Sequence, residues 1–223
     1  MIQFDLRTKN LIIAMATWFL CMLSLKVLGF LTFLPFVLEN AAVLTAVCLL
    51  YPPVIVSIFQ KKRLSYWSIN KKIILNDLKI FFIVSLIIFP AVFFGNHFYQ
   101  LIVWKAPYHA SLSGNWSYYI LIQILLIAFP EEFFFRGFLQ EAMMGYFKTK
   151  KKVFGVAVNW GFFLTAIIFA LSHSLLTLQW WHGFIFFPAL IFGWLKQKTK
   201  TIWAGTLFHA ACNLFAYWVA LHY

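Results

Sequence analysis

Glu131 and Glu132 are adjacent carboxylates inside the apolar stretch LLIAFPEEFFFRGFLQ, residues 125–140. An ionisable side chain at bilayer depth costs about 3 kcal/mol or more unless it is paired or hydrated, so its presence there indicates a function. On a helix, Arg136 lies one turn after Glu132, close enough for an ion pair. Glu131 points about 100° away from Glu132 and is not neutralised by the same contact. The stretch therefore predicts one carboxylate held by an arginine and one that is free.

Two further motifs lie in later apolar segments. In FALSH, Phe169 and His173 are one helical turn apart, and in HAACN the same spacing places His209 and Asn213 on one face. Because lipid offers an imidazole or an amide no partner, we expect these side chains to face the interior of a helix bundle. A carboxylate and two imidazoles can activate water, either as general base and acid or as ligands of a metal that does so. The candidate site is Glu131, Glu132, Arg136, His173, His209 and Asn213.

Each motif alone also has a purely structural explanation. Glu132 and Arg136 would form a buried ion pair, and an intramembrane histidine commonly forms a hydrogen bond to a neighbouring helix. Packing does not readily explain three polar motifs in three separate apolar segments. Their joint occurrence favours catalysis.

The composition predicts an all-α, polytopic transmembrane helix bundle. Of the 223 residues, 63% are hydrophobic and 11% are charged, which cannot supply the polar surface of a soluble domain. The apolar residues form continuous runs, several of them near the length of about 20 residues that crosses a bilayer. About seven spans are predicted, with six to eight compatible with the pattern, and the sixth is short enough to be re-entrant. They are 11–34, 41–60, 79–99, 117–139, 155–178, 183–196 and 201–221.

The net charge of +12 indicates the cytoplasmic loops of a membrane protein and not a nucleic-acid-binding surface, because the basic residues lie in alternate connections between the apolar runs. This alternation predicts an integral membrane protein with its N-terminus inside and its C-terminus outside. Short connections and the lack of organelle signals favour a prokaryotic inner membrane, and Lys26 is expected to snorkel from the first span. The basic groups are Arg7 and Lys9; Lys61, Lys62, Arg63, Lys71, Lys72 and Lys79; Lys148, Lys150, Lys151 and Lys152; and Lys196, Lys198 and Lys200.

The three motifs resemble the CPBP family of CaaX proteases and bacteriocin-processing enzymes, also called the Abi family of intramembrane endopeptidases. The family pattern is E-E-x-x-x-R, F-x-x-x-H and H-x-x-x-N on successive helices, and it stands here as EEFFFR, FALSH and HAACN in that order. The resemblance covers about the last hundred residues, 118–217. Residues 116–223 are therefore interpreted as the catalytic helices, and residues 1–115 as N-terminal transmembrane helices of the same integral bundle.

The resemblance implies an intramembrane endopeptidase that cleaves a membrane-associated or lipidated protein or peptide. Glu131 would be the general base that activates water, helped by His173. His209 and Asn213 would stabilise the oxyanion, while the ion-paired glutamate and arginine would hold the site together.

The family has been described both as metalloproteases and as glutamate-dependent proteases, and the sequence permits both. A metal such as zinc would be bound by Glu131, His173 and His209. Asn213 beside His209 suits oxyanion donation better than zinc ligation, which favours a site without a cofactor.

Two other functional classes stay open. An ion- or proton-coupled transporter would use the same side chains as a relay, but it requires a continuous polar pathway, and the first three spans hold almost no polar residues. A non-catalytic bacteriocin-immunity membrane protein would have the fold without turnover. The complete set of motif residues favours catalysis over both.

The predicted depths of the three central residues differ. Counted from the nearest basic connection at 1.5 Å per residue, Glu131 lies about 25 Å in, His173 about 30 Å and His209 about 13 Å. They can converge only if the fourth and fifth helices extend past the membrane, tilt or break. Residues 138–150 and 151–158 are the candidates for such extensions.

Overall fold

The computed structural model describes residues 5–62, 64–111 and 115–223, so Arg63, one of the predicted loop cations, lies outside the described residues. Within these ranges the chain forms eight helices and one short hairpin, in which β1 (Lys151–Val153) pairs antiparallel with β2 (Val156–Val158). The helices are α1 (Leu6–Phe30), α2 (Pro35–Glu39), α3 (Ala41–Phe59), α4 (Lys71–Trp104), α5 (Trp116–Tyr146), α6 (Trp160–Thr177), α7 (Phe186–Thr199) and α8 (Trp203–His222).

Six of these helices are long and apolar enough to cross a membrane, namely α1, α3, α4, α5, α6 and α8. The prediction of a polytopic helix bundle is therefore confirmed. The predicted span 183–196 corresponds to α7, which has 14 residues and is about 21 Å long. A 3₁₀ turn, Trp180–Ile185, takes up the start of that apolar run, which is why the helix falls short of a bilayer core of about 30 Å.

Helix α4 begins at Lys71, eight residues before the predicted start of that span. Asn70 caps it, since its side-chain oxygen accepts a hydrogen bond from the Ile73 amide at 2.9 Å. The first two turns carry charged and amide side chains, so a pattern based on apolar runs places the start too late. Asp77, in this polar part of the helix, is buried.

Asp77 also fixes where α8 begins. Its carboxylate accepts a hydrogen bond from the hydroxyl of Thr201, two residues before the first residue of α8. Asp77 lies six residues into α4, so α8 starts about 9 Å further along the bundle than α4 does. A count that places the starts of α4 and α8 at one level therefore understates the depth of His209.

One of the two predicted helix extensions is present and the other is not. Helix α5 continues as far as Tyr146, but residues 151–158 form the hairpin instead of a helix. Phe154 and Gly155 both have positive φ angles, which makes the tight turn between the strands. The hairpin packs on α7, where the indole N–H of Trp194 donates to the carbonyl oxygen of Phe154 at 3.2 Å.

Helix α5 is the centre of the bundle and contacts α1, α3, α6, α7 and α8. All five residues from Phe133 to Gly137 are buried. Aromatic rings from the neighbouring helices complete this core, among them Phe169 of α6, Phe192 of α7 and Phe208 of α8. The polar side chains in this buried part of α5 must therefore find their partners inside the protein.

Gly161, in the first turn of α6, lies directly against the backbone of α5. A Cβ at this position would approach the Met143 carbonyl group and the Met144 nitrogen closer than 3.0 Å, and backbone atoms cannot move aside. We expect Gly161→Ala to push α6 away from α5 and to lower the free energy of unfolding by about 1–3 kcal/mol, measured by thermal or denaturant unfolding in detergent.

Gly95→Ala provides the matched control, because a Cβ at Gly95 in α4 would meet open space. This control should leave the free energy of unfolding within about 1 kcal/mol of the native value or raise it slightly. An unaltered unfolding transition for Gly161→Ala would show that this contact does not set the crossing of α5 and α6.

Candidate active site

The two adjacent glutamates lie in α5 between two π-helical segments, Gln123–Ala128 and Phe133–Leu139. Pro130 has no amide hydrogen to donate, so it opens the hydrogen-bond ladder of the helix. The π-helical turns on both sides of it are the form that this opening takes. Such turns occur frequently at functional sites, because they widen the helix and redirect its side chains.

Glu132 is fully buried and binds a partner with each carboxylate oxygen. Its Oε2 lies 3.4 Å from Nε of Arg136, so the ion pair predicted from the spacing is present. Its Oε1 accepts a hydrogen bond from Nδ1 of His209 at 3.1 Å. Glu132 therefore links α5 to α8 as well as to the arginine one turn away.

The guanidinium group of Arg136 contacts two aromatic rings as well as its ion-pair partner. It lies 3.9 Å from the centre of the Phe169 ring and 5.1 Å from the centre of the Phe192 ring. Its Nη1 and Nη2 have no hydrogen-bond partner among the described residues. A cation over an aromatic face is attracted by the ring quadrupole, which compensates in part for these missing bonds.

His209 is oriented from two sides. Its Nδ1–H donates to Glu132, and its ring stacks on Phe192 with the ring centres 4.6 Å apart and the planes 13° from parallel. This orientation directs Nε2 toward Oε2 of Glu131, 3.8 Å away. Phe192 was missed from the sequence, because a single phenylalanine among 28 carries no pattern.

His173 is oriented by its own helix. Its Nδ1–H donates to the carbonyl oxygen of Phe169 at 2.9 Å, which explains why the two residues stand one turn apart. The other ring nitrogen, Nε2, then faces Oε2 of Glu131 at 3.5 Å. Phe169 thus contacts both the histidine and the arginine of the motifs.

Helix α1 braces the part of α6 that carries His173. The indole N–H of Trp18 donates to the hydroxyl of Ser172 at 2.9 Å. Lys26 donates to the carbonyl oxygens of Leu175 and Leu176 at 3.1 and 3.2 Å, so it caps the C-terminal end of α6. Helix α1 therefore helps to position the candidate site.

Glu131 lies where the two histidines meet. Its Oε2 is buried without a hydrogen-bond partner among the described residues, 3.5 Å from His173 and 3.8 Å from His209. Both separations exceed the 2.7–3.2 Å typical of a direct N–H···O hydrogen bond. The space between Glu131, His173 and His209, which belong to three different helices, can hold a water molecule. A buried water molecule needs two to four hydrogen-bond partners.

Asn213 lies one turn beyond His209 on α8 and is tied to α5. Its Nδ2 donates to Oε1 of Gln123 at 2.8 Å, which leaves the second Nδ2 hydrogen for a ligand. Gln123 was not among the predicted residues. It stands eight residues before Glu131 in an otherwise apolar run, so the rule that singled out the glutamates could also have found it.

A zinc ion, which the resemblance allows, would need at least three side-chain ligands in one place. Among residues 5–62, 64–111 and 115–223, no group of three or more His, Cys, Asp or Glu side chains is arranged to hold a metal ion. The described residues therefore do not form a ready ligand set for zinc.

Residues 113–215 match the model of the family described as type II CAAX prenyl endopeptidase Rce1-like. The match spans α5, the hairpin, α6 and α7 and ends within α8, so it contains all six predicted site residues. Neither the curated proteins nor the solved structures gave a significant match to the chain.

Proposed function

Because the chain carries, at residues 113–215, the Rce1-like domain of the CPBP family of CAAX proteases, we propose that it cleaves a membrane-associated or lipidated protein or peptide with Glu131 as the general base. The family supports intramembrane endopeptidase activity. The observation that carries the assignment of the base is the position of Glu131 Oε2 between Nε2 of His173 and Nε2 of His209.

In the proposed mechanism, a water molecule donates one hydrogen bond to Glu131 and one to Nε2 of His173. The water oxygen forms a bond to the carbonyl carbon of the scissile peptide while Glu131 accepts its proton. The resulting tetrahedral intermediate collapses when the C–N bond breaks, and the proton from Glu131 passes to the leaving amine. Because Nδ1 of His173 donates to its own helix, Nε2 is the nitrogen available to orient the water.

The oxyanion of the tetrahedral intermediate needs hydrogen-bond donors, and we assign this role to His209 and Asn213. Glu132 holds the His209 ring through Nδ1, which leaves Nε2 to face the reacting atoms. The adjacent glutamates therefore have different roles, since Glu131 accepts a proton and Glu132 orients a proposed oxyanion donor.

We also propose a prokaryotic inner membrane as the location, with the N-terminus inside and the C-terminus outside. Lysine and arginine residues mark the starts of α1 and α4 and the connection after α5, which supports placing that end of the bundle inside. This orientation requires α7, although short, to return the chain to the same end.

The experiment that tests the function compares the membrane proteomes of cells that express the native protein and the Glu131→Gln form. The proposal expects at least one membrane-associated precursor that is shortened only in cells with the native protein. Identical proteomes would reject proteolysis. Proton flux into liposomes that disappears in Glu131→Gln would instead assign the residues to a transporter.

Metal removal is expected to leave the activity unchanged. The purified protein in proteoliposomes would be treated with a chelator, dialysed against metal-free buffer and assayed against the substrate so identified. Since the described donors form no ready ligand set, turnover should stay within about twofold of the untreated protein. Loss of turnover that added zinc restores would contradict the glutamate-only mechanism.

A further inference from the structure

A cavity of about 320 Å³ lies at the end of the bundle where α1 begins and α3 ends, away from the candidate active site. We call this end the basic end, and the cavity the basic-end cavity. It is bounded by α1, by α3 and the segment that follows it, and by α5. Its polar lining residues are Arg7, Asn10, Ser57, Gln60, Lys62, Tyr66 and Glu141.

The charge of the basic-end cavity is positive. Among the described residues, neither Arg7 nor Lys62 has an acidic group within 4 Å. Glu141, the acidic residue of the lining, has a half-exposed side chain and is neutralised by an ion pair with Lys196 at 2.7 Å. Two unpaired cations therefore face a cavity whose carboxylate already has a partner, so the cavity suits an anion.

Tyr66 supplies a buried hydrogen-bond donor at this cavity. The residue is 2% exposed, and its hydroxyl has no hydrogen-bond partner among the described residues. Burial, and after it the nearby charge of Glu141, raises the pKa of Tyr66, so the hydroxyl keeps its proton. A buried hydroxyl without a partner is unfavourable, and an anionic oxygen in the cavity would satisfy it.

The surroundings of the cavity indicate which kind of anion it takes. Ile58 and Phe59, directly before Gln60 in the lining, are 68% and 83% exposed, and Leu6 beside Arg7 is 71% exposed. In a chain that spans a membrane, such large apolar side chains at the helix ends face acyl chains. The cavity thus opens at the boundary between the hydrocarbon and the lipid headgroups. This position favours a lipid headgroup, because a soluble anion does not require it.

We propose that the basic-end cavity binds the phosphate-bearing headgroup of an anionic lipid. Arg7 and Lys62 pair with the phosphate, the Tyr66 hydroxyl donates to it, and the acyl chains lie along Ile58 and Phe59. Basic pockets between transmembrane helices recognise anionic headgroups in this way. The proposal is independent of the hydrolytic function, because it uses none of the residues assigned to the reaction.

The test measures lipid binding to the delipidated full-length protein by native mass spectrometry, with phosphatidylglycerol and phosphatidylcholine as separate probes. The double variant Arg7→Gln/Lys62→Gln should bind phosphatidylglycerol about thirtyfold more weakly, since each basic residue near an anionic headgroup contributes about fivefold. Tyr66→Phe, which removes only the hydroxyl, should weaken binding several-fold. The native protein should prefer phosphatidylglycerol to phosphatidylcholine.

The matched control is Lys151→Gln/Lys152→Gln, which removes the same charge from β1, outside the cavity. It should leave the affinity for phosphatidylglycerol within about twofold. Equal losses in the two double variants would show attraction to overall charge and would reject the site. Displacement of the lipid by inorganic phosphate at comparable concentration would also overturn the proposal, because it would identify a site for a soluble anion.

Discussion

Glu131→Gln should reduce the rate of peptide hydrolysis by at least about 10²- to 10⁴-fold, the range that a positioned general base contributes, while the protein still folds. Glutamine has nearly the same volume as glutamate but cannot accept a proton from water. The two histidines that face this side chain keep their own anchors, His173 on the Phe169 carbonyl and His209 on Glu132. Turnover in proteoliposomes against the identified substrate measures the loss.

The control for this substitution is Glu39→Gln, which makes the same chemical change at an exposed position in α2. It should leave turnover unchanged. The thermal unfolding of both variants should match that of the native protein, which separates loss of chemistry from loss of fold. Full activity of the Glu131→Gln form would remove Glu131 from the role of base.

Arg136→Met should cost about 3–5 kcal/mol of stability, because it leaves Glu132 charged and fully buried without its cationic partner. Methionine fills much of the same space against Phe169 and Phe192. The loss of stability therefore measures the removal of the charge and not the creation of a cavity. Combining it with Glu132→Gln removes both charges and should recover a large part of the loss. Denaturant unfolding of the two single variants and the double variant measures the coupling.

Lys196→Met provides a comparison with an ion pair whose acidic partner is half-exposed. Its removal leaves Glu141 open to water, so the cost should stay near 1 kcal/mol or below. A similar cost for Arg136→Met would show that the buried ion pair does not hold the site together. A double variant no more stable than Arg136→Met would show that the stranded charge is not the cause.

The part of the site that could be predicted from the sequence is the part that a single helix fixes. Glu132 and Arg136, like Phe169 and His173, interact across one turn, and helix geometry determines such contacts without knowledge of the neighbouring helices. Because lipid offers polar side chains no partners, the sequence also predicted that the three separate motifs face the bundle interior and form one cluster. The free carboxylate of the doublet lies beside His173 and His209, as that expectation requires.

Contacts between helices could not be predicted, because they depend on which helices are neighbours and at what height. Three contacts of the site are of this kind: the hydrogen bond of Trp18 to Ser172, the stacking of Phe192 on His209, and the hydrogen bond between Gln123 and Asn213. Asp77 was missed for a different reason. It lies in the polar first turns of α4, which a search for apolar runs excluded from the helix, although its bond to Thr201 fixes the height of α8.

A structure of the native protein in lipid, at a resolution that shows ordered water, tests the proposed mechanism most directly. We expect one water molecule within hydrogen-bond distance of both Oε2 of Glu131 and Nε2 of His173, with His209 on the opposite side of it. A Glu131 carboxylate turned toward the acyl chains, or lying beyond the reach of one water from both imidazoles, would contradict the proposed mechanism.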